Sequence, residues 1–282
     1  MHPAIVFLLG LGVGSLIAAL AARVLVRRLF AKTRAAERRA RAAERLAEIG
    51  GMTGGLAHEI KNPLSTIGLN AQLLGEAIEE LPQDRAVDAE TRHRLTRRLE
   101  SLRREAERLR GILADFLAYA GEMRLDMAPA DVNAAIEELA DFIAPQADRL
   151  GVRLRTETAA GARASVDVPL LKQALLNLLL NALQAFPAAA VGGPRELIVR
   201  TTRGIDPDKK PIVRVHVIDT GPGIAPEIVE RIFTPYFTTK SGGSGLGLAT
   251  TRRIIEAHAG RVEVHTQMGK GTEFVVTLPA CD

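Results

Sequence analysis

Cysteine is almost missing from this chain: Cys281 is the only one in 282 residues. That excludes a disulfide framework and a thiolate zinc site, and it fits a reducing compartment. Residues 1–22 lack Asp, Glu, Lys and Arg altogether, so no Lys or Arg precedes the apolar run. A cleaved signal peptide needs such a basic region and is therefore excluded. No glycine-rich stretch contains Gly-Lys-Ser/Thr, so there is no Walker loop. None opens straight from a strand into a helix as a dinucleotide fingerprint does, so that reading also falls away.

The formal charge of +4 raises the question of a nucleic-acid partner. Residues 23–45 carry nine Lys/Arg against Glu37 and Glu44, a net +7, and the remaining 237 residues sum to −3. The basicity is one local block, which argues against direct nucleic-acid binding. That block adjoins Pro3–Ala22, twenty uncharged residues, enough to cross a bilayer. Cationic residues on the C-terminal flank place that side in the cytoplasm and Met1 outside. A single-pass anchor is expected, with a buried core helix as the alternative. A span starting at Pro3 leaves this chain no extracytoplasmic domain. Val24–Ile49 reads as a helix leaving the membrane, suited to a coiled coil through Leu29, Ala36 and Ala43 or to anionic lipid.

Apolar residues at Met52, Leu56, Ile60, Leu64, Ile67, Leu74 and Ile78 then trace one stripe of a helix. At roughly 100° per residue, His58 lies about 200° from Leu56, on the far side from that stripe. Glu59 follows it, and Asn62 comes one turn later. An exposed imidazole beside a carboxylate suits a nucleophile or proton shuttle, although most surface histidines do nothing. Gly50, Gly51, Gly54 and Gly55 precede it and Pro63 follows, which makes the helix soft on both sides or else closely packed.

Leu81-Pro82-Gln83-Asp84 ends that helix, and a second runs from about Thr91 to Ala120. Its seam is Leu95, Leu99, Leu102, Ala106, Leu109, Leu113, Phe116 and Ala120. An antiparallel hairpin buries too little alone, so pairing into a dimeric four-helix bundle is expected. From Arg124 strands alternate with helices. Strands are expected at Val152–Thr158, Ala164–Asp167, Glu196–Arg203, Ile212–Ile218, Arg261–Thr266 and Gly271–Leu278. Helices are expected at Pro169–Phe186 and Leu246–Ala259, the latter ended by Gly260 at C′. This is an α/β sandwich with one helical layer on a mixed sheet.

Three glycine clusters lie near the end: Asp219-Thr220-Gly221-Pro222-Gly223, Gly242-Gly243-Ser244-Gly245-Leu246-Gly247 and Gly269-Lys270-Gly271-Thr272. The second opens onto a helix N-terminus, where backbone N–H groups favour phosphate. Asn177 and Asn181 sit one turn apart amid leucines. Their amide oxygens suit Mg²⁺, or they cap neighbouring backbone in the core. Phe233, Tyr236 and Phe237 form an apolar group beside the glycine loop, either a latch onto the helical hairpin or ordinary core packing.

The order Leu-Ala-His-Glu-Ile-Lys-Asn-Pro-Leu, Asn-Leu-Leu-Leu-Asn-Ala, Asp-Thr-Gly-Pro-Gly-Ile, Phe-Thr-Pro-Tyr-Phe-Thr-Thr-Lys and Gly-Ser-Gly-Leu-Gly-Leu resembles a bacterial two-component sensor histidine kinase over about residues 46–282. The short segment from Phe233 to Gly245 is similar to the nitrogen-regulation branch. The resemblance implies that His58 accepts a phosphoryl group from ATP and passes it to an aspartate of a cognate response regulator, which the protein also dephosphorylates. It gives Glu59 the acid/base role and Asn62 a part in dephosphorylation. Asn181 would hold Mg²⁺ with Asn177 beside it, and Asp219 would accept from the adenine amine in a pocket shaped by Gly221 and Gly223. Ser244, Gly245, Leu246 and Gly247 would form the phosphate turn. Gln184 stands where many members carry a basic residue, so Lys240 would supply that charge. The implied organisation is an anchor at 1–26 in the bacterial inner membrane and its lipids, and a basic juxtamembrane helix at 27–50. A dimerisation and phosphotransfer domain at 51–122 and a cytoplasmic ATP-binding domain at 123–282 follow. A homodimer is implied. The rival reading is an ATPase or clamp of the wider gyrase and Hsp90 nucleotide fold, which leaves His58 and the hairpin without purpose.

Overall fold

The computed structural model describes residues 50, 54–57, 59–79, 81, 88–121, 123–186, 194–240 and 243–281. The expected span Pro3–Ala22, the basic helix Val24–Ile49, Gly51, Met52, His58, Pro82–Asp84 and Gly242 lie outside the described residues. Among the described residues no helix is long and apolar enough to cross a membrane. Residues from Gly55 onward form one compact unit.

Helix α1 (residues 59–79) runs unbroken through Pro63, which is buried, and residues 55–57 are helical too. Helix α2 (Ala89–Ala120) starts at Asp88, whose carboxylate accepts from the Thr91 N–H at 2.7 Å and hydroxyl at 2.9 Å. That cap satisfies donors the first turn cannot, and it holds the Asp88 carboxyl below its usual range. Glu59, at the start of α1, lies within electrostatic reach of Arg108 and Asp115 near the end of α2. The two helices therefore run antiparallel, as expected.

The seam of α2 differs in part from its sequence reading. Leu95, Leu102, Leu109 and Phe116 do face inward, but their seam partners are Arg98, Glu105, Ile112 and Tyr119. Leu99, Ala106 and Leu113 point outward, and Leu64 and Ile78 of α1 are exposed with them. The apolar face is wider than one seam needs. A period of three and four cannot distinguish the half that contacts α1 from the half left over.

Past the hairpin come β1 (Ala128–Asp131), α3 (Val132–Arg149), β2 (Arg153–Glu157), β3 (Arg163–Val166) and α4 (Val168–Ala185). Then follow β4 (Glu196–Ile205), β5 (Pro211–Asp219), the single turn α5 (Pro226–Val229), α6 (Gly247–Ala257), β6 (Arg261–Gln267) and β7 (Gly271–Pro279). Five strands make one sheet in the order β2-β4-β5-β7-β6, with β2 and β4 parallel and the other pairs antiparallel. β1 and β3 form a separate antiparallel pair. The core lies between α3, α4 and α6 and one sheet face. Ile136, Ile143, Leu171, Leu175, Leu178 and Ile254 pack there on Leu197, Val215 and Val276. Each such side chain stabilises the fold by about 1.5–3 kcal/mol through burial.

Sequence reading names no element between Arg124 and Val152, where the structure has β1 and α3. Pro145 in the last turn of α3 disguises a helix whose apolar positions keep a helical period. Sequence also expects Gly260 at the C′ position of α6, but Ala259 takes the left-handed conformation there, at φ 55°. Its N–H reaches Glu256 O at 3.0 Å and that of Gly260 reaches Ile255 O at 2.9 Å. These are the two bonds of a Schellman end, one residue earlier than expected. Glycine is needed at 260 because the chain there lies against the Thr277 carbonyl. The buried His258 beside it accepts from the Asp167 N–H at 2.9 Å, which ties α6 to the N-cap of α4.

Candidate active site

A cleft of about 630 Å³ opens between α4, the end of β5, α5 and the segment leading into α6. It is lined by eight of the ten residues expected to bind nucleotide: Asn177, Asn181, Asp219, Gly223, Lys240, Ser244, Gly245 and Gly247. Gly221 and Leu246 are not at its wall. The Leu246 side chain is wholly buried, and Gly221 supports the cleft from behind by donating its N–H to Asp219 Oδ1 at 2.8 Å.

Asp219 ends β5 because the strand's inward-facing set Val213, Val215, Val217 continues to it. Its carboxyl is therefore buried, and burial pushes its pKa up, against the Gly221 and Thr272 N–H groups and Lys240, which lower it. A buried carboxylate lining a cleft selects a donor such as an exocyclic amine. Ile224, Ile228, Ile232 and Phe274 provide apolar walls for a flat base.

At the other end the two asparagines of α4 part company. Asn177 donates its amide to Gly247 O at 3.2 Å, tying α4 to the start of α6. Asn181 turns its amide oxygen to Lys240, whose Nζ lies 2.8 Å away and also reaches Asn181 O at 3.3 Å and Gln184 Oε1 at 3.1 Å. A cation thus already stands on the Asn181 oxygen. Burial lowers the Lys240 pKa, and Asp219 opposes that. The donor set fits Mg²⁺ with phosphates: a hard amide oxygen, a mobile ammonium, and the phosphate turn Ser244–Gly247 at the N-terminus of α6. Gly245 must be glycine: its φ is 63°, and a Cβ would come within 2.5 Å of the Tyr236 carbonyl carbon.

Asp115 of α2 also lines the cleft, and its Oδ2 accepts from Ser244 Oγ at 2.6 Å. Sequence reading missed it, since one exposed carboxylate on a polar helix face carries no signal of its own. The cleft therefore opens onto the hairpin that carries Glu59 and Asn62. Glu59 is half-buried, and burial raises its carboxyl pKa, with Arg108 opposing and Asp115 reinforcing. Asn62 is exposed and spends its carbonyl on Thr66 Oγ1 at 3.2 Å. Neither lines the cleft. The three aromatics divide. Phe233 stacks edge-on against Phe274 at 6.4 Å, and Phe237 lines the cleft under the Arg231 guanidinium at 4.4 Å. The Tyr236 ring packs on Gly55 of the hairpin.

Comparison with known proteins accounts for this arrangement. Residues 48–121 match the family model of the His Kinase A (phospho-acceptor) domain. Residues 166–282 match the model of the histidine kinase-, DNA gyrase B-, and HSP90-like ATPase. The chain belongs to the two-component sensor histidine kinases. It is 34% identical over 232 residues to the sensor histidine kinase ZraS of Escherichia coli (strain K12), covering 82% of this chain and 45% of ZraS. It is 33% identical over 241 residues to the sensor protein FixL of Bradyrhizobium diazoefficiens, covering 83% and 44%. The chain thus spans less than half the length of those relatives. Among solved structures it is similar to histidine kinase ThkA in complex with response regulator protein TrrA. That match has 28% identity and a TM-score of 0.63, over 84% of this chain and 64% of that one. It is also similar to full-length ShkA in complex with AMPPNP, at 28% identity and a TM-score of 0.56, over 77% and 46%.

Proposed function

We propose that the chain is an ATP-dependent protein-histidine kinase that phosphorylates its own His58 and passes the phosphoryl group to an aspartate of a response regulator. The observation that carries this is the meeting of the phosphate turn with the helical hairpin, Ser244 on Asp115. In this reading Asp219 holds the adenine amine, Lys240 and the turn at Ser244–Gly247 hold the phosphates, and Asn181 holds Mg²⁺. Bound Mg²⁺ would supply neutralisation of phosphate charge. The neutral imidazole of His58 attacks the γ-phosphorus, the bond to the β-bridging oxygen breaks, and ADP leaves. Glu59 takes the proton from the other ring nitrogen. Positioning and charge do most of the work. Acid-labile, base-stable label on His58 from γ-labelled ATP tests the reading, and ATP turnover with no label would defeat it.

The acid side of the rate profile follows from Glu59. Its carboxyl must be ionised to accept a proton, and burial raises its pKa. Autophosphorylation is therefore expected to fall as pH drops through a value above the usual carboxylate range. In Glu59→Gln that limb should vanish, leaving the one set by protonation of His58. An unchanged profile in the variant would remove Glu59 from the chemistry.

A second copy of the chain completes the bundle. Leu64, Leu69, Ile78, Leu99, Leu113 and Leu117 stand 50–59% exposed on α1 and α2. That much apolar surface on two adjacent helices calls for cover, and the phospho-acceptor domain match supports a dimer. Leu99→Glu with Leu113→Glu is expected to give a monomer in sedimentation experiments that still binds ATP. A dimer surviving both charges would rule out this face. The relative ThkA in complex with a response regulator supports the regulator as partner. The Phe233–Gly245 segment supports the nitrogen-regulation branch. The apolar run and basic block support a single-pass anchor in the bacterial inner membrane at 1–26, with lipid contacts over 27–50. Phosphotransfer at 51–122 and ATP binding at 123–282 then lie in the cytoplasm.

A further inference from the structure

Among the described residues, Oε2 of Glu59 and the phenol oxygen of Tyr236 are buried side-chain oxygens with no hydrogen-bond partner. They come from distant parts of the chain and are brought together through Gly55. A Cβ on Gly55 would stand 3.0 Å from Cδ2 and 3.1 Å from Cγ of the Tyr236 ring, so the ring rests on the bare backbone there. Gly55 and Glu59 are one helical turn apart. Helical side chains lean toward the N-terminus, over the turn before them. The Glu59 carboxyl thus extends toward the ring lying on Gly55. Its charge is felt at the phenol, whose pKa is raised by burial and then by Glu59.

The ring is aimed by its backbone. Tyr236 holds φ 61°, a conformation that an aromatic residue rarely adopts. The close approach of Gly245 to the Tyr236 peptide supports that conformation. Strain of this kind persists only where the surroundings enforce it. The enforcing residue belongs to the phosphate turn itself. Phenylalanine would fill the same apolar space on Gly55, so the hydroxyl is the atom that packing does not explain.

We propose that Tyr236 is a positioning residue for Glu59: as the phosphate turn closes on nucleotide, the phenol donates a hydrogen bond to the Glu59 carboxylate and fixes it for proton transfer with His58. The inference rests on the phosphotransfer reading above. It makes the orientation of the base depend on the state of the nucleotide cleft, because Tyr236, Lys240 and Ser244 share one segment. Among the described residues, the other charged groups acting on Glu59 are Arg108 and Asp115 of α2. They remain in place when the hydroxyl alone is removed.

The test is Tyr236→Phe in the full-length chain, beside the unsubstituted protein, Glu59→Gln and the double variant. The ring is kept, so the thermal midpoint and ATP affinity should not change. Autophosphorylation should slow roughly 10- to 150-fold, the worth of one hydrogen bond to a charged group. A hydrogen bond to the carboxylate favours its ionised form, so losing the bond should move the acid limb to higher pH. In the Glu59→Gln background, Tyr236→Phe should slow the reaction no further. If the unsubstituted protein labels His58 while Tyr236→Phe matches it in rate and pH profile, the positioning role is wrong. Equal slowing with and without Glu59 would overturn it as well. An unsubstituted protein that takes no label on His58 would overturn the phosphotransfer reading and this inference with it.

Discussion

His58→Gln is expected to bind ATP as tightly as the unsubstituted chain and to acquire no phosphoryl group from it. The described walls of the cleft come from α4, β5, α5, β7, the segment into α6 and Asp115 of α2. None of these described walls belongs to α1, so removing the imidazole is expected to leave adenine and phosphate contacts intact. What disappears is the only proposed nucleophile. Glutamine keeps a polar side chain of similar reach and preserves helix propensity, so the helix should persist. Equilibrium binding of ATP measured alongside label incorporation separates the two effects. Full labelling in the variant would move the acceptor elsewhere, and lost ATP binding would place His58 in the cleft wall.

The parts of this molecule that sequence made legible are those with a repeating physical constraint. The sheet strands β4 and β5 alternate inward and outward, so Val213, Val215 and Val217 announce their face, and Asp219 falls on it as the next member. The leucines of α4 repeat with a helical period, which makes Asn177 and Asn181 stand out as amides in apolar company. Neither signal tells the two asparagines apart. Only the fold shows that Asn177 reaches the backbone of Gly247 and Asn181 reaches a cation.

What was not legible depends on approach between distant segments. Asp115 and Ser244 are 129 residues apart, and nothing on α2 marks residue 115 as the one that meets the phosphate turn. The four glycines before His58 read as a flexible joint, yet Gly54 has open space around it whereas Gly55 carries the Tyr236 ring. At Gly55 close packing is the reason for glycine. The left-handed backbone of Tyr236 is likewise invisible in sequence, because aromatic residues seldom adopt it. Its placement comes from Gly245 nine residues later.

Asn181→Ala should abolish the Mg²⁺-dependent part of nucleotide binding while the dimer and the fold survive. In this structure the Asn181 amide oxygen accepts from the Lys240 ammonium at 2.8 Å. It is a cation-seeking oxygen at the phosphate end of the cleft. Alanine removes it and leaves Lys240 only the Asn181 backbone oxygen and Gln184 among its present acceptors. Hydrogen bonds to charged groups are worth about 1.5–3 kcal/mol, so affinity for ATP with Mg²⁺ is expected to fall by roughly 10- to 150-fold. With Mg²⁺ chelated, the variant and the unsubstituted chain should differ far less. Asp219→Asn provides the contrast. It acts at the adenine end, where it should weaken ATP at every Mg²⁺ concentration and reduce the preference for adenine over guanine. The proposed dimer seam lies on α1 and α2, remote in sequence from both residues, so sedimentation should be unchanged. If Asn181→Ala kept the full Mg²⁺ dependence of the parent, its oxygen would not be the metal's ligand, and its bond to Lys240 would be structural.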